Sequence, residues 1–165
     1  RGVALPGFLY LHMLFILRGR AETTWAVLRA FGYGKDLRLE KRCLPDLDEY
    51  YTDQSFELSD EAVAFVVALF HQRDLDKDGA LSPDELAALF ERAPSILWAT
   101  HPRRVQLDAN GNLTLPGYLA HWTASCYLAP RDTLECLIYL GYQGGGRESV
   151  ASALWVSPRR GVEFK

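Results

Sequence analysis

The sequence predicts an all-α fold: an EF-hand pair with one calcium-binding and one degenerate hand, a helix docked behind the pair, a partial copy of the same module ahead of it, and short β-pairing between the loops. Three observations carry this. Apolar residues recur at helical spacing through most of the chain. A twelve-residue acidic loop lies between two amphipathic stretches. One helical tract occurs twice, at a period of about 110 residues.

Taken in order, Pro6 and Gly7 punctuate the start and Phe8 to Leu17 forms the first helix. That run is ten residues long, contains His12 and ends at Arg18. A membrane-spanning helix needs about 20 apolar residues, so the run reads as a buried helix. A secretory signal needs its charge at the start, and Arg18-Gly19-Arg20 puts it at the wrong end. Ala21 to Phe31 is the second helix, with Trp25, Leu28 and Phe31 at spacing three and Gly32 placed to end it. Residues 34–51 are mixed and acidic, with Leu37-Arg38-Leu39 expected to be extended. Ser59 caps a helix whose first turn holds Asp60 and Glu61 and whose apolar face is Val63, Val66, Val67 and Phe70. Pro83 to Arg92 is the next helix, with Leu86, Leu89 and Phe90 facing inward. Pro94 and Pro102 break up the stretch after it, and Pro116 to Tyr127 and Arg131 to Leu140 are two further helices. Gly144-Gly145-Gly146 is a break, Ser152 to Val156 a short strand and Pro158 to Gly161 a turn.

The repeat aligns Leu5-Pro6-Gly7-Phe8-Leu9 with Leu115-Pro116-Gly117-Tyr118-Leu119. His12 matches His121 one residue out of step, and Thr24, Leu28, Gly32 and Tyr33 match Thr133, Leu137, Gly141 and Tyr142. The expected division is therefore the rear part of a first module over 1–42, a second module over 43–143, and a linker with a strand over 144–165. The chain opens on Arg1, which predicts that it is a piece of something longer.

Asp74-Leu75-Asp76-Lys77-Asp78-Gly79-Ala80-Leu81-Ser82-Pro83-Asp84-Glu85 has calcium-loop spacing throughout. Asp74, Asp76 and Asp78 hold positions 1, 3 and 5, and Gly79 permits the sharp turn. Ala80 offers its backbone carbonyl, Ser82 acts directly or through water, and Glu85 supplies two oxygens. Four carboxylates crowded together repel, and a hard divalent cation with six to eight oxygen ligands removes that repulsion. Calcium is the expected ion; magnesium can occupy the loop at rest, although its octahedral demand suits a bidentate Glu85 less well. Ser82, Pro83 and Glu85 also spell a capping box, so Glu85 can either cap the helix or bind the ion. A second loop, Gln106 to Gly117, keeps the rhythm around Gly111 but lacks both anionic anchors, so it is expected to pair through Leu113 and hold no ion. An opened pair of hands offers an apolar groove, and the helix at 131–140 stands close behind to fill it in cis.

Other chemistry is poorly supplied. Lys plus Arg number 18 against 21 Asp plus Glu, a net charge of −3, which argues against a nucleic-acid binder. Cys43, Cys126 and Cys136 form neither a disulfide framework nor a zinc site and fit a reducing compartment. His12 and His121 read as core histidines, and the four tryptophans as packing anchors. No P-loop occurs and no catalytic site is legible; the glycines at 144–146 lack a phosphate-loop lysine.

These residues together resemble one family, the mitochondrial Rho GTPases called Miro. The resemblance rests on Leu5-Pro6-Gly7-Phe8-Leu9-Tyr10-Leu11-His12, Phe15-Ile16, Arg18-Gly19-Arg20 and Glu22-Thr23-Thr24-Trp25. It continues through Leu28-Arg29, Phe31-Gly32-Tyr33, Asp74 to Leu86, Gly117-Tyr118-Leu119, Trp122-Thr123 and Tyr139-Leu140-Gly141-Tyr142, while residues 40–58 and 93–105 depart from the family pattern. It implies two modules of a calcium hand, a hidden hand and a ligand-mimic helix, lying between two GTPase domains of a parent anchored in the outer mitochondrial membrane. By that resemblance 21–31 and 131–140 are the mimic helices, and GTP hydrolysis and motor-adaptor binding belong to the parent. The fragment itself is expected to be soluble, on the cytosolic face, with no membrane contact required. Its function is then calcium-dependent regulation of mitochondrial transport and positioning. The alternative is an interaction scaffold in which calcium is static, and a third reading is a piece of an enzyme whose catalytic part lies elsewhere.

Overall fold

Helix starts and stops obey punctuation written in the sequence. The structure, a computed structural model, describes residues 2–40, 43–47, 50, 54–91, 93, 105–143 and 150–158. Among these, six α-helices form: α1 (Leu5–Leu17), α2 (Ala21–Ala30), α3 (Asp60–Arg73), α4 (Pro83–Phe90), α5 (Leu115–Leu128) and α6 (Pro130–Tyr139). Four short strands, β1 (Phe56–Leu58), β2 (Ala80–Leu81), β3 (Leu113–Thr114) and β4 (Leu154–Val156), join as two antiparallel pairs, β1 with β4 and β2 with β3. The chain divides into two units, Arg1–Cys43 and Leu44–Lys165.

In the first unit α1 packs against α2. Pro6 lies in the first turn of α1, where a missing N–H costs nothing. The helix forms, but the expectation that it is buried fails: no residue of α1 is buried, and Leu5, Leu9 and Ile16 are exposed. Its apolarity is sufficient for a core helix, yet among the described residues of this unit α2 is the one helix packed on it. α2 likewise has no buried residue. His12 is half-buried, with Nδ1 at 3.0 Å from the Thr24 hydroxyl and its ring between Phe8 and Phe15. Of the segment expected to be extended, Leu37 and Arg38 turn instead, while Leu39 forms an antiparallel bridge with Tyr33. Asp36 Oδ1 accepts the Arg38 N–H at 3.1 Å, Gly34 N–H reaches the Arg38 carbonyl at 2.8 Å, and Leu37 takes a φ of 61°. An Asx side chain competing for local backbone explains this better than strand propensity.

Both repeated tracts end in the same way. At α2 the Tyr33 N–H returns to the Leu28 carbonyl and Gly32 N–H to Arg29, with Gly32 at a φ of 83°. At α6 the Tyr142 N–H returns to Leu137 and Gly141 N–H to Ile138, with Gly141 at 98°. This paired 6→1 and 5→2 closure needs a left-handed residue, so the matched glycines of the repeat have a common conformational cause.

In the second unit α5 is the hub, packing against α3, α6, β1 and β3. Its Pro116 lies in the first turn, and Thr114 caps the helix by accepting the Gly117 N–H. Tyr118, Trp122 and Cys126 recur every four residues and are fully or almost fully buried. Facing them are Val66 and Phe70 of α3, Leu89 of α4, and Leu134, Cys136 and Leu137 of α6. Leu86, Phe90, Ile138 and Leu140 pack at the margin of this core. Ser59 Oγ accepts the Ala62 N–H at the start of α3, as the cap in the sequence predicts. The strand expected at 152–156 begins at Leu154, after a 3-10 turn over Val150–Ala153. The breaks expected at Pro94, Pro102 and 144–146 and most of the turn at 158–161 fall outside the described residues, as does Trp98.

This packing has two testable outcomes. Leu137 is fully buried between helices, so Leu137→Asp should destabilise the unit by about 2–5 kcal/mol from lost packing alone, before the buried charge is counted. A lowered melting temperature and increased binding of an apolar dye check it; wild-type values for both would mean that α6 does not dock. The Cys126 and Cys136 thiols are buried and pushed up to about 12, chiefly by desolvation, while Cys43 is exposed. Alkylation of the native chain at pH 8 should therefore modify Cys43 alone, with the other two reacting after unfolding in denaturant, read by intact mass.

Candidate metal centre

The loop between α3 and α4 is shaped by its own carboxylates. Asp74 is the C-terminal cap of α3, its N–H held by the Phe70 carbonyl at 2.9 Å. Asp74 Oδ2 accepts the Gly79 N–H at 3.1 Å, Asp76 Oδ1 accepts the Asp78 N–H at 3.2 Å, and Asp78 Oδ1 accepts the Ala80 N–H at 2.8 Å. Each acid thus folds the backbone around itself and leaves its second oxygen unused by these bonds. Gly79 takes a φ of 84°, a conformation that a side chain would oppose.

The result is a gathering of oxygens. Asp74, Asp76 and Asp78 each place a carboxylate oxygen within 4.8 Å of the other two. Asp74 is only 8% exposed, and its Oδ1 is buried without a hydrogen-bond partner. A buried carboxylate oxygen left unmatched is costly, and a cation is the partner that such an atom fits. The donor set is all oxygen and hard, which suits calcium or magnesium and not zinc or copper.

Glu85 is not in that set of three. Its Oε1 accepts the Leu75 N–H at 2.8 Å, and its Oε2 accepts both the Ser82 N–H at 2.9 Å and the Ser82 hydroxyl at 2.8 Å. With Ser82 Oγ accepting the Glu85 N–H at 3.4 Å, the capping box is complete. These bonds, the Ser82 backbone first and the Leu75 backbone next, hold the Glu85 carboxyl below the usual carboxylate range. The sequence offers Glu85 two roles, and the structure shows it in the cap. The bond from Leu75 has no sequence signature, because a backbone N–H carries no residue type. Ala80 lies in β2, and its carbonyl is the backbone donor available at position 7.

The second loop is joined to the first through Leu81↔Leu113 and Ala80↔Thr114. Its single acid, Asp108, spends Oδ1 on the N–H groups of Asn110 and Asn112, both at 2.8 Å. At position 12 stands Gly117, where an added Cβ would run into the Gln106 carbonyl oxygen. The backbone of position 1 therefore fills the space that an acid at position 12 would need.

Comparison with known proteins agrees with this architecture. Two family profiles, both described as EF hand associated, match residues 1–62 and 98–165. Mitochondrial Rho GTPase 2 of Arabidopsis thaliana is 43% identical over 166 residues, which cover 99% of this chain and 25% of that protein. Mitochondrial Rho GTPase 1 of Caenorhabditis elegans is 46% identical over 142 residues, 86% of this chain and 23% of that protein. In Caenorhabditis briggsae the figure is 48% over 145 residues, 86% of this chain and 22% of that protein. The chain spans about a quarter of the length of the curated relatives it matches. Helices, paired loops and sequence together place this chain in the mitochondrial Rho GTPase family, in its EF-hand associated region.

Proposed function

We propose that the chain is a calcium-binding regulatory module of a mitochondrial Rho GTPase: a paired set of hands in which residues 74–85 take the ion, residues 106–117 support them, and α6 lies in the groove as a built-in helical ligand. The observation that carries the reading is the buried, unmatched Asp74 Oδ1 among three converging carboxylates. Asp74, Asp76 and Asp78 would hold the ion with the Ala80 carbonyl, with Ser82 directly or through water, and with Glu85 once its carboxylate leaves Leu75 and Ser82. The ion supplies charge neutralisation in the loop; the chain supplies the coupling of that event to α4 through Glu85. The parent's place on the cytosolic face of the outer mitochondrial membrane, its GTPase domains and its motor adaptors belong to the same proposal.

The full burial of Leu134 and Leu137 favours a second reading, a scaffold whose groove stays filled whatever the calcium level. Calorimetric titration paired with solution scattering separates the two. A regulatory module binds and changes its scattering profile; a scaffold binds and does not.

Glu85→Gln is the sharpest variant, because Gln still caps the helix while the charge and the bidentate anchor are lost. Calcium affinity should fall from the weak end of the sensor range, about 10⁻⁵ M, to millimolar or weaker, with the circular dichroism unchanged. An unaltered titration would remove the loop from consideration. Gly117→Glu should fail to create a second ion site and should lower the melting temperature, since its Cβ meets the Gln106 backbone. GTP should be neither bound nor hydrolysed by this chain, which has no phosphate loop; turnover by pure protein would refute that.

A further inference from the structure

We propose that residues 150–157 form a clasp over α6, so that an amphipathic helix from another protein can enter the α6 groove only after β4 has been unzipped from β1. The inference goes beyond the calcium reading and needs no ion.

The clasp has two parts. The 3-10 turn Val150–Ala153 packs on α6, and Ala153 is fully buried in the same core as Leu134 and Leu137. β4 then pairs with β1 in the register Phe56↔Val156, Glu57↔Trp155 and Leu58↔Leu154. Beyond the ladder, both ends are tied. Ser59 N–H donates to the Ala153 carbonyl at 2.8 Å, next to the start of α3. Ser157 N–H donates to the Ser55 carbonyl at 2.9 Å, Ser157 Oγ accepts the Ser55 N–H at 2.8 Å, and the Gln54 amide donates to the Ser157 carbonyl at 2.8 Å. Segments 102 and 103 residues apart in sequence are thereby joined directly after the turn that packs on α6.

Length sets the order of opening. A ladder of three residues per strand is marginal by itself, so it sits at the low end of local stability. α6 has ten residues, too few to persist as a helix once released, so it stays formed only while it is held. α5 holds one side of α6, and the turn leading into β4 holds another. Peeling β4 removes the second support first. The groove then suits an incoming helix with apolar residues at the spacing of Leu134, Leu137 and Ile138, the face that α6 itself presents.

The test uses the whole chain and amide hydrogen exchange. Trp155→Pro breaks the ladder at its centre, and Trp155 is 52% exposed, so little core packing is lost. Exchange at residues 133–140 should quicken at least about ten-fold while α3 and α5 stay protected, and a fluorescent peptide of residues 130–140 should begin to bind. A second variant, Glu57→Cys with Trp155→Cys and Cys43→Ser, locks the two facing outward positions by a disulfide. It should slow α6 exchange below the wild-type rate and refuse the peptide, and reductant should restore both. The proposal is overturned if α6 protection and peptide binding stay at wild-type level with the β1 amides freely exchanging. It is equally overturned if the ladder stays protected with proline at its centre, or if the lock leaves α6 exchange unchanged.

Discussion

The second unit depends on the burial of one aromatic ladder on α5. Tyr118 and Trp122 are one helical turn apart, with ring centroids 6.2 Å from each other. Phe70, from the helix before the acidic loop, lies 5.3 Å from Tyr118; Phe90, from the helix after it, lies 6.2 Å from Trp122. The two helices that flank the candidate ion site pack on each other and are both anchored by rings from a third. Such rings bring large buried area with few rotatable bonds, which fixes an angle between helices better than aliphatic packing does. Burial pushes the Tyr118 phenol far up its scale, so it stays a neutral hydrogen-bonding group at any ordinary pH. Through this ladder α5, which also packs on α6, touches both helices that flank the loop.

The degenerate loop gains its meaning from the same constraint. It cannot hold an acid at position 12, because the Gln106 carbonyl occupies that space. What it provides is β3, which fixes Leu81 against Leu113 and Ala80 against Thr114. Both leucines are buried, so the pairing is part of the core rather than a surface ornament. On the proposed calcium reading, a position-7 carbonyl anchored in a ladder would not have to be ordered on binding, which would reduce the entropic cost.

Local signals are legible in the sequence and long-range ones are not. The acidic loop, the caps at Ser59 and Ser82, the glycine stop at Gly32 and the Leu81–Leu113 pairing all come from a few neighbouring residues or from loop register, and the structure has each of them. β1 is not legible: Phe56-Glu57-Leu58 is three residues long and pairs with a strand nearly a hundred residues away. Nothing in so short a run distinguishes a strand from a loop. The exposure of α1 is hidden for a related reason. Apolar composition states what a helix can bury, whereas burial depends on what packs against it. Asp74, Asp76 and Asp78 converge as the spacing requires, but the hold of Leu75 and Ser82 on Glu85 is a matter of geometry, and the sequence leaves the choice of role open.

α3 joins the two features that matter most. Its N-terminus is the Ser59 cap, whose N–H is bound by the clasp at Ala153; its C-terminus is Asp74, the first acid of the loop. Between them run 14 residues of uninterrupted helix, about 21 Å at 1.5 Å per residue. With Val66 and Phe70 wholly buried, the core into which α3 packs resists its bending. On the proposed calcium reading, a rotation imposed at Asp74 would displace Ser59, and with it the bond to the Ala153 carbonyl. The reverse also holds: β4 zipped to β1 resists any rotation of α3 that the loop demands. Coupling of this kind is reciprocal by linkage, so whatever opens the clasp changes the ease of closing the loop by the same free energy with which the loop biases the clasp. On the proposed calcium reading, α3 would join the acidic loop to the short β1–β4 ladder beside the α6 groove.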